Sequence, residues 1–282
     1  MIAASAGLAV EVFDREYLRH GDLGLPATIY QPQGAGPFPM LLAVHGGAWN
    51  AGTRTDLEQT GRSLAAAGTL VAAVDFRLAP DHPYPAQVQD VNYACRWLKA
   101  HAGQLNGDAS SVGVLGCSSG GHTSLLAAMR PRDPRYAAVP LDGDASFSYV
   151  ITCWGVIDPW SRLLFSQTTP EAGRGYGGAD VKVRQTYNYF LDDATIHEAN
   201  PQEILERGEP AELPPLLIIQ GTEDMNIPLT LPQRFAPAYR AAGGSARVEW
   251  FPGQPHGFGN RPGPAGDRAL ELIKEFLAGL AR

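Results

Sequence analysis

Short apolar runs alternate with amphipathic stretches along most of this chain. Runs of four or five apolar residues bounded by glycine or proline suit strands that are buried on both faces of a parallel sheet. The pattern predicts strands at Val10–Phe13, Ala27–Tyr30, Met40–Val44, Leu70–Val74, Ser111–Leu115, Phe147–Trp154, Leu216–Gln220 and Arg247–Phe251.

Helical periodicity fills the intervals between several of these runs. Apolar residues spaced three and four positions apart form one face of a helix. This spacing occurs in Ala86–Ala100 and again near the C-terminus at Leu270, Ile273, Leu277 and Leu280. Alternating strands and helices predict an α/β fold, with a mainly parallel sheet that carries helices on both faces.

One stretch, Asp158–Glu212, interrupts the alternation with weak periodicity, four prolines and several glycines. A strand-to-helix connection rarely needs more than fifty residues, so this stretch is expected to be an insertion folded over the sheet edge. Its neighbourhood is aromatic: nine of the 44 residues in Phe147–Phe190 are aromatic, against 16 of the other 238. The excess fits a cap that lines an apolar pocket, and equally a small subdomain with its own core. We therefore expect a single domain over residues 1–282, with a cap or lid insertion at 158–212.

The composition narrows the classes of function. A chain of 282 residues that is 44% hydrophobic can bury a large core. The net charge is -7 and the basic residues form no stripe, which argues against a nucleic-acid partner. No window approaches 18 consecutive apolar residues, so we expect neither a membrane span nor a membrane partner.

The cysteines and the N-terminus indicate the compartment. Three cysteines are too few for a disulfide scaffold and lack metal-ligand spacing, which favours a reducing compartment and predicts no metal site. The N-terminal apolar run has no basic segment before it and is interrupted early, so we expect a mature cytoplasmic start.

The sharpest chemical motif is Gly-Cys-Ser-Ser-Gly at residues 116–120, directly after a predicted strand and directly before a helix-like run at His122–Met129. In this context a G-x-S-x-G motif forms a tight strand–turn–helix that exposes its central serine. Small neighbours at Gly116 and Gly120 leave room for the strained turn, and the helix dipole favours developing negative charge. Ser118 is therefore the predicted nucleophile.

A serine hydroxyl needs a base, and the expected chain order is serine, acid, histidine. Asp224 follows the predicted strand Leu216–Gln220, and His256 follows the next one, so both lie at carboxyl ends of strands, where ligands bind. Asp158 is an alternative acid, although the Asp224 loop directly precedes the strand that leads to His256. His122, at the start of the helix, is expected to pack or cap rather than transfer protons.

Acyl transfer also requires donors for a developing oxyanion. His-Gly-Gly-Ala-Trp at residues 45–49 directly follows the strand Met40–Val44, and consecutive glycines let backbone N–H groups turn inward. We assign donor N–H groups to Gly47 and Ala48, with Gly46 as a further candidate, together with that of Ser119 after the nucleophile.

Taken with DFRLAPDHPYPAQVQDV, GTEDMNIP and PGQPHGF, these motifs resemble the α/β-hydrolase superfamily. Within it, the sequence is similar to bacterial esterases related to hormone-sensitive lipase and to feruloyl- and acetyl-esterase-like hydrolases. The resemblance covers nearly the whole chain. It implies hydrolysis of carboxylic esters through a serine acyl-enzyme, without a cofactor, with Ser118, Asp224 and His256 as catalytic residues. Ala48 replaces the third glycine of the usual HGGG, which argues against esters of bulky tertiary alcohols.

Two rivals remain beside the esterase. The HGGxW pattern also resembles kynurenine formamidase, an amidase of this fold, and some relatives are ligand-binding proteins without catalysis, although these usually lack the histidine. The expected substrates are small molecules, namely short-to-medium acyl or aromatic esters, and Trp49, Trp160 and Phe258 are expected to line their pocket. The resemblance also allows a homodimer, because relatives often pair through an edge strand.

Overall fold

A computed structural model describes residues 7–280, so the predicted chain start at residues 1–6 lies outside the described residues. Eight strands occur within 7–280 and form one sheet. They are β1 (Val10–His20), β2 (Leu23–Pro32), β3 (Phe38–Val44), β4 (Leu70–Val74), β5 (Gly107–Cys117), β6 (Val150–Cys153), β7 (Leu216–Gly221) and β8 (Ala246–Phe251).

The strand order is β1-β2-β4-β3-β5-β6-β7-β8. The six strands from β4 to β8 in this order run parallel, whereas β2 lies antiparallel to β4 and β1 antiparallel to β2. Carboxyl ends of the parallel strands therefore meet at one edge, where open α/β sheets bind ligands.

Helices cover both faces of this sheet. In the described part of the chain they are α1 (Glu58–Ala66), α2 (Ala86–Ala100), α3 (Ser119–Met129), α4 (Pro159–Thr168), α5 (Ala179–Phe190), α6 (Asp193–Glu198), α7 (Pro201–Glu206), α8 (Thr230–Ala241) and α9 (Pro264–Leu280). Side chains of α1 and α9 pack on one face, and those of α2, α3 and α8 on the other. Alternation along β3 supplies both cores: Met40 and Leu42 join one, and Leu41 and Ala43 the other.

The predicted fold class is confirmed, and β4 and α2 have the predicted bounds. β1 continues to His20, seven residues beyond the predicted end, because this edge strand carries polar side chains that hide its apolar pattern. β6 is shorter than the predicted Phe147–Trp154. It ends at Cys153 because Trp154 has a φ of 43°, which leaves the extended conformation.

Four helices, α4 to α7, fill the long connection between β6 and β7. α4 contacts α5 and α6, while α7 contacts α3 and α8 on the sheet face. We call residues 158–212 the helical segment. Among the helices of residues 7–280, none is both long enough and apolar enough to cross a membrane.

Candidate active site

Ser118 stands in the turn between β5 and α3 with a φ of 53° and a ψ of -121°. A non-glycine residue held in such a region costs about 1–3 kcal/mol, so the surrounding structure must impose it. The turn lies tightly against β3: a Cβ on Gly120 would come within 2.4 Å of the Val44 carbonyl oxygen and 2.3 Å of that of His45. Only glycine lets α3 start so close to the neighbouring strand.

The three predicted catalytic residues form one chain of hydrogen bonds. Ser118 Oγ lies 2.9 Å from His256 Nε2, and His256 Nδ1 lies 2.8 Å from Asp224 Oδ2. Their loops follow β5, β8 and β7, whose carboxyl ends share one sheet edge. The arrangement matches a nucleophile, a base and an orienting acid.

The Asp224 carboxylate is buried and fully partnered. Its Oδ1 accepts the backbone N–H groups of Asn226 and Ile227, each at 2.8 Å, and its Oδ2 also accepts Gln220 Nε2 at 2.9 Å. These donors fix the carboxylate toward His256. The alternative acid, Asp158, instead caps α4 through the Ser161 N–H and pairs with Arg234 at 3.2 Å.

The loop after β3 has the geometry of an oxyanion hole. Gly47 has a φ of 114°, and a Cβ there would lie 1.9 Å from the Ala51 carbonyl oxygen. Ala48 and Trp49 follow with φ values of 52° and 63°. Within residues 7–280, the backbone N–H groups of Gly47 and Ala48 donate to no other group of the protein. They therefore remain available to a ligand oxygen.

This loop is joined to the nucleophile turn. The Trp49 N–H donates to Ser119 Oγ at 3.1 Å, and Ser119 is the first residue of α3, whose N–H has no acceptor within the helix. Gly46, Gly47 and Ala48 line the same cavity as Ser118 and His256. The four predicted oxyanion donors therefore lie around the nucleophile.

The pocket prediction needs correction. Trp49 is only 1% exposed: its indole stacks on Tyr189 with centroids 5.2 Å apart, and its Nε1 donates to His122 Nδ1 at 3.3 Å. It is thus a packing residue behind the loop. Trp160 packs instead against His197, with ring centroids 4.3 Å apart. An aromatic count along the chain carries no information about the direction of each ring.

Phe258, the third predicted pocket residue, is buried between Trp154 and Phe251, with centroid distances of 5.0 and 4.7 Å. It borders a neighbouring cavity that also touches His256 and Tyr176. Its ring supports the loop that carries the base.

Beside Ser118 lies a cavity of about 500 Å³, which we call the cleft. Sequence reasoning missed its polar wall, which consists of Asp56, Tyr176, Lys182, Gln185, Asn226 and Asn260. The Tyr176 hydroxyl donates to the His256 carbonyl oxygen at 2.8 Å, and its ring meets the imidazole edge-on at 5.1 Å. The aromatic excess included Tyr176, whereas nothing in the local sequence marked Lys182.

A buried guanidinium supports the acid loop. Arg162 of α4 donates to Asn226 Oδ1 through Nη2 at 2.7 Å and Nε at 3.2 Å, and its charge lies 5.6 Å from the Trp49 ring. Burial lowers the pKa of Arg162 to about 10, so it stays charged at neutral pH. Because the Asn226 N–H binds Asp224, Arg162 steadies the loop that holds the acid.

A metal site is not evident in the part of the chain that the structure describes, where no three His, Cys, Asp or Glu side chains are grouped to hold an ion.

Comparison with known proteins identifies the family of the chain. The BD-FAE family model matches residues 28–238. Esterase LipC of Mycobacterium tuberculosis is 34% identical over 237 residues, which cover 81% of this chain and 56% of that protein. Carboxylic ester hydrolase LipN of the same organism is 28% identical over 270 residues, covering 92% of this chain and 68% of that protein. This chain thus spans about half to two thirds of the length of these relatives.

The fold is shared with a solved structure. The hyperthermophilic esterase of Pyrobaculum calidifontis superposes with a TM-score of 0.78 at 24% identity, covering 97% of this chain and 86% of that one. The predicted resemblance to esterases of the α/β-hydrolase fold is confirmed by these matches.

Proposed function

This chain belongs to the BD-FAE family, and on that premise we propose that it is a serine carboxylesterase acting through Ser118, His256 and Asp224. One observation carries the proposal: the continuous hydrogen bonds from Ser118 Oγ through the imidazole to a buried, fully partnered carboxylate, beside two free backbone N–H groups. Relatives named esterase and carboxylic ester hydrolase support the choice of ester as substrate.

Acylation follows from the placement of these atoms. Ser118 Oγ bonds to the ester carbonyl carbon while its proton moves to His256 Nε2, and the carbonyl oxygen becomes an oxyanion. Backbone N–H groups of Gly47, Ala48 and Ser119 donate to that oxygen, which is the largest stabilisation in acyl transfer. The carbon–oxygen bond to the alcohol then breaks, and the imidazolium returns its proton to the leaving alcohol.

Deacylation repeats the sequence with water. His256 takes a proton from the water while the water oxygen bonds to the acyl carbon. The bond between the acyl carbon and Ser118 Oγ then breaks as His256 returns the proton to the serine. Asp224 stabilises the imidazolium in both halves and holds the tautomer with its proton on Nδ1. A cleft of about 500 Å³ suits short-to-medium acyl or aromatic esters.

The wider organisation is proposed with the activity. We take residues 1–282 as one domain with 158–212 as a cap insertion, supported by the packing of α7 on α3 and α8 and by Lys182 and Gln185 in the cleft wall. Buried, unpaired cysteines at 95, 117 and 153 support a cytoplasmic location. The position of β8 at the sheet edge supports a homodimer through that strand.

Hydrolysis of 4-nitrophenyl butyrate, followed by release of 4-nitrophenolate, tests the proposal. The purified protein should hydrolyse the ester, Ser118→Ala should lose the activity, and Ser110→Ala, on the exposed part of β5, should keep it. Retained activity in Ser118→Ala would refute the mechanism. A parallel assay with N-formylkynurenine separates esterase from formamidase, because a strong preference for the formamide would replace the ester as the substrate.

A further inference from the structure

Two side-chain cations are buried beside the cleft without a carboxylate partner. Arg162 is 1% exposed and Lys182 5% exposed. Among the residues from 7 to 280, no Asp or Glu oxygen lies within 4.0 Å of either charged group, and their hydrogen bonds go only to Asn226, Thr186 and Gln185. Buried charges are ordinarily paired. The Asp224 carboxylate attracts Arg162 at longer range, whereas no acid of residues 7–280 acts on Lys182 in this way, so Lys182 is the cation that lacks an anion.

Lys182 is the cation that borders the cleft. Its Nζ lies 3.4 Å from Gln185 Oε1 and 5.4 Å from the centre of the Tyr176 ring, and all three residues line the cavity that contains Ser118. The Tyr176 hydroxyl is bonded in turn to the His256 carbonyl oxygen. The ammonium is therefore separated from the imidazole by one aromatic ring.

The ammonium has unused capacity for hydrogen bonds. It carries three donors and, among residues 7–280, makes one long hydrogen bond, to Gln185. Burial and the nearby charge of Arg162 lower the pKa of Lys182 to about 8, so most of the protein carries the charged form at pH 7.

Two acids border the cleft, Asp56 in its wall and Asp224 behind His256, and both already accept hydrogen bonds. Asp224 accepts four hydrogen bonds, including that of His256. Asp56 is at the exposed rim, where its Oδ2 accepts the Thr53 N–H at 3.0 Å. Neither carboxylate neutralises Lys182, so the cleft wall keeps a positive charge that a neutral ester would leave unpaired.

We propose that Lys182 binds a carboxylate of the substrate, so that preferred substrates are esters carrying a free carboxylate a few atoms from the scissile bond, such as half-esters of dicarboxylic acids. The inference rests on the proposed ester hydrolysis and names its substrate class. Tyr176 and Gln185 hold the ammonium at the cleft wall, and the ester carbonyl lies at Ser118. The carboxylate occupies either the acyl or the alcohol side of the ester bond.

Matched substrate pairs test the inference on the unmodified protein. Methyl hydrogen adipate is compared with its neutral isostere methyl adipamate by methanol release, which places the charge on the acyl side. 4-Acetoxybutanoate is compared with 4-acetoxybutanamide by acetate release, which places it on the alcohol side. In one pair, kcat/KM should favour the carboxylate about tenfold or more at pH 7, mainly through KM, as expected for a charge-assisted hydrogen bond.

Two variants locate the effect. Lys182→Met keeps an unbranched side chain, one atom shorter, and removes the charge, and it should bring the ratio of kcat/KM values within the preferred pair close to one. Lys274→Met, on the outer helix α9, should keep the ratio of the unmodified protein. Because each ratio is taken within one variant, a loss of total activity in Lys182→Met does not obscure the result, and thermal unfolding checks that the variant is folded.

The outcomes separate this inference from the proposed function. Equal kcat/KM values in both pairs, with neutral esters hydrolysed, would overturn the role of Lys182 and leave the esterase standing. A carboxylate preference that survives in Lys182→Met would overturn it too. Failure to hydrolyse any ester, 4-nitrophenyl butyrate included, would overturn the proposed function and this inference together.

Discussion

Two regions of the molecule surround the cleft, the carboxyl ends of the strands and the helical segment. They differ in how their buried charged side chains are partnered. At the strand ends, Asp224 is surrounded by four donors, one of which is the imidazole that it orients. In the helical segment, Arg162 and Lys182 are equally buried but lack a carboxylate within 4.0 Å among residues 7–280.

This difference indicates that the strand ends carry out the reaction and that the helical segment selects the substrate. A fully partnered carboxylate is rigid and has the same surroundings for every substrate, as the reaction itself requires. An unpaired buried cation lowers the stability of the free protein. This cost is tolerated at a binding site, because the bound ligand supplies the missing anion. We therefore expect changes at the strand ends to lower kcat for all esters, and changes at Lys182 to alter the choice between esters.

The largest effect should follow from removing the base. His256→Ala leaves Ser118 without a proton acceptor, so kcat should fall by about 10⁴- to 10⁶-fold with little change in KM for every ester tested. Steady-state kinetics with 4-nitrophenyl butyrate measures the loss, with His82→Ala as the control. A fall in kcat confined to carboxylate-bearing esters would contradict the role of the strand ends in the reaction of all esters.

The sequence predicts the hydrogen-bonded set of Ser118, His256 and Asp224 because the constraints on these residues are local. The tight turn at Ser118 demands Gly120 two residues on, and the loops of Asp224 and His256 follow recognisable apolar strands. The sequence does not single out Lys182, because one lysine on an amphipathic helix resembles any solvated side chain. The sequence places Trp49 in the pocket wrongly: its ring stacks on Tyr189, at a backbone φ of 63°, and an HGGAW motif does not record this direction.

A smaller effect is expected at the acid. Asp224→Asn keeps the size of the side chain but can present an amide N–H to His256 Nδ1, which favours the wrong tautomer. We predict a fall in kcat of about 10³- to 10⁴-fold at pH 7. Asp158→Asn, the matched change at the acid that caps α4, should affect stability more than kcat. Comparable losses of kcat in both variants would contradict the assignment.

His122 contacts both Trp49, behind the loop that follows β3, and the helical segment. Its burial should make the free energy of unfolding depend on pH. Its ring accepts a hydrogen bond from Trp49 Nε1 and lies 2.8 Å from the Ala199 carbonyl oxygen in the helical segment. Burial lowers its pKa to about 4. His122 is therefore protonated below about pH 6.5 in the unfolded chain but only below about pH 4 in the folded protein. The free energy of unfolding falls as pH drops through this window.

The shift corresponds to about 3 kcal/mol of unfolding free energy lost between pH 6.5 and 4. Urea unfolding at several pH values measures it, and His122→Gln should flatten this part of the dependence. Burial lowers the pKa of His45 as well, so part of the slope should remain. An unchanged slope in His122→Gln would show that this residue is not the source.

The smallest effect concerns stability at Lys182. Its folded pKa lies below the unfolded value of 10.5, so the unfolded chain binds more protons between about pH 8 and 10.5 and stability rises with pH there. Lys182→Met should be more stable than the unmodified protein at pH 7, by about 1–3 kcal/mol, and the advantage should shrink as pH increases.

Other titratable and charged groups near Lys182 also contribute to the pH dependence of stability. They are Arg162 from α4, Tyr176 from the preceding loop, Asp56 at the rim, and Asp224 with His256 across the cleft. Because they are present in both proteins, the difference between the two unfolding curves at pH 7, 8, 9 and 10 isolates the lysine. A variant less stable than the unmodified protein at pH 7 would show that the ammonium has a structural partner.

Covalent labelling tests the central claim, that His256 activates Ser118 as the nucleophile. Diethyl 4-nitrophenyl phosphate should transfer one diethylphosphoryl group to Ser118 Oγ, in place of its proton, with release of one equivalent of 4-nitrophenol. Intact-protein and peptide mass spectrometry should find one modification, on Ser118, that grows in parallel with the loss of esterase activity and is absent from Ser118→Ala. Modification of a different residue, or complete inhibition with Ser118 unmodified, would contradict the account.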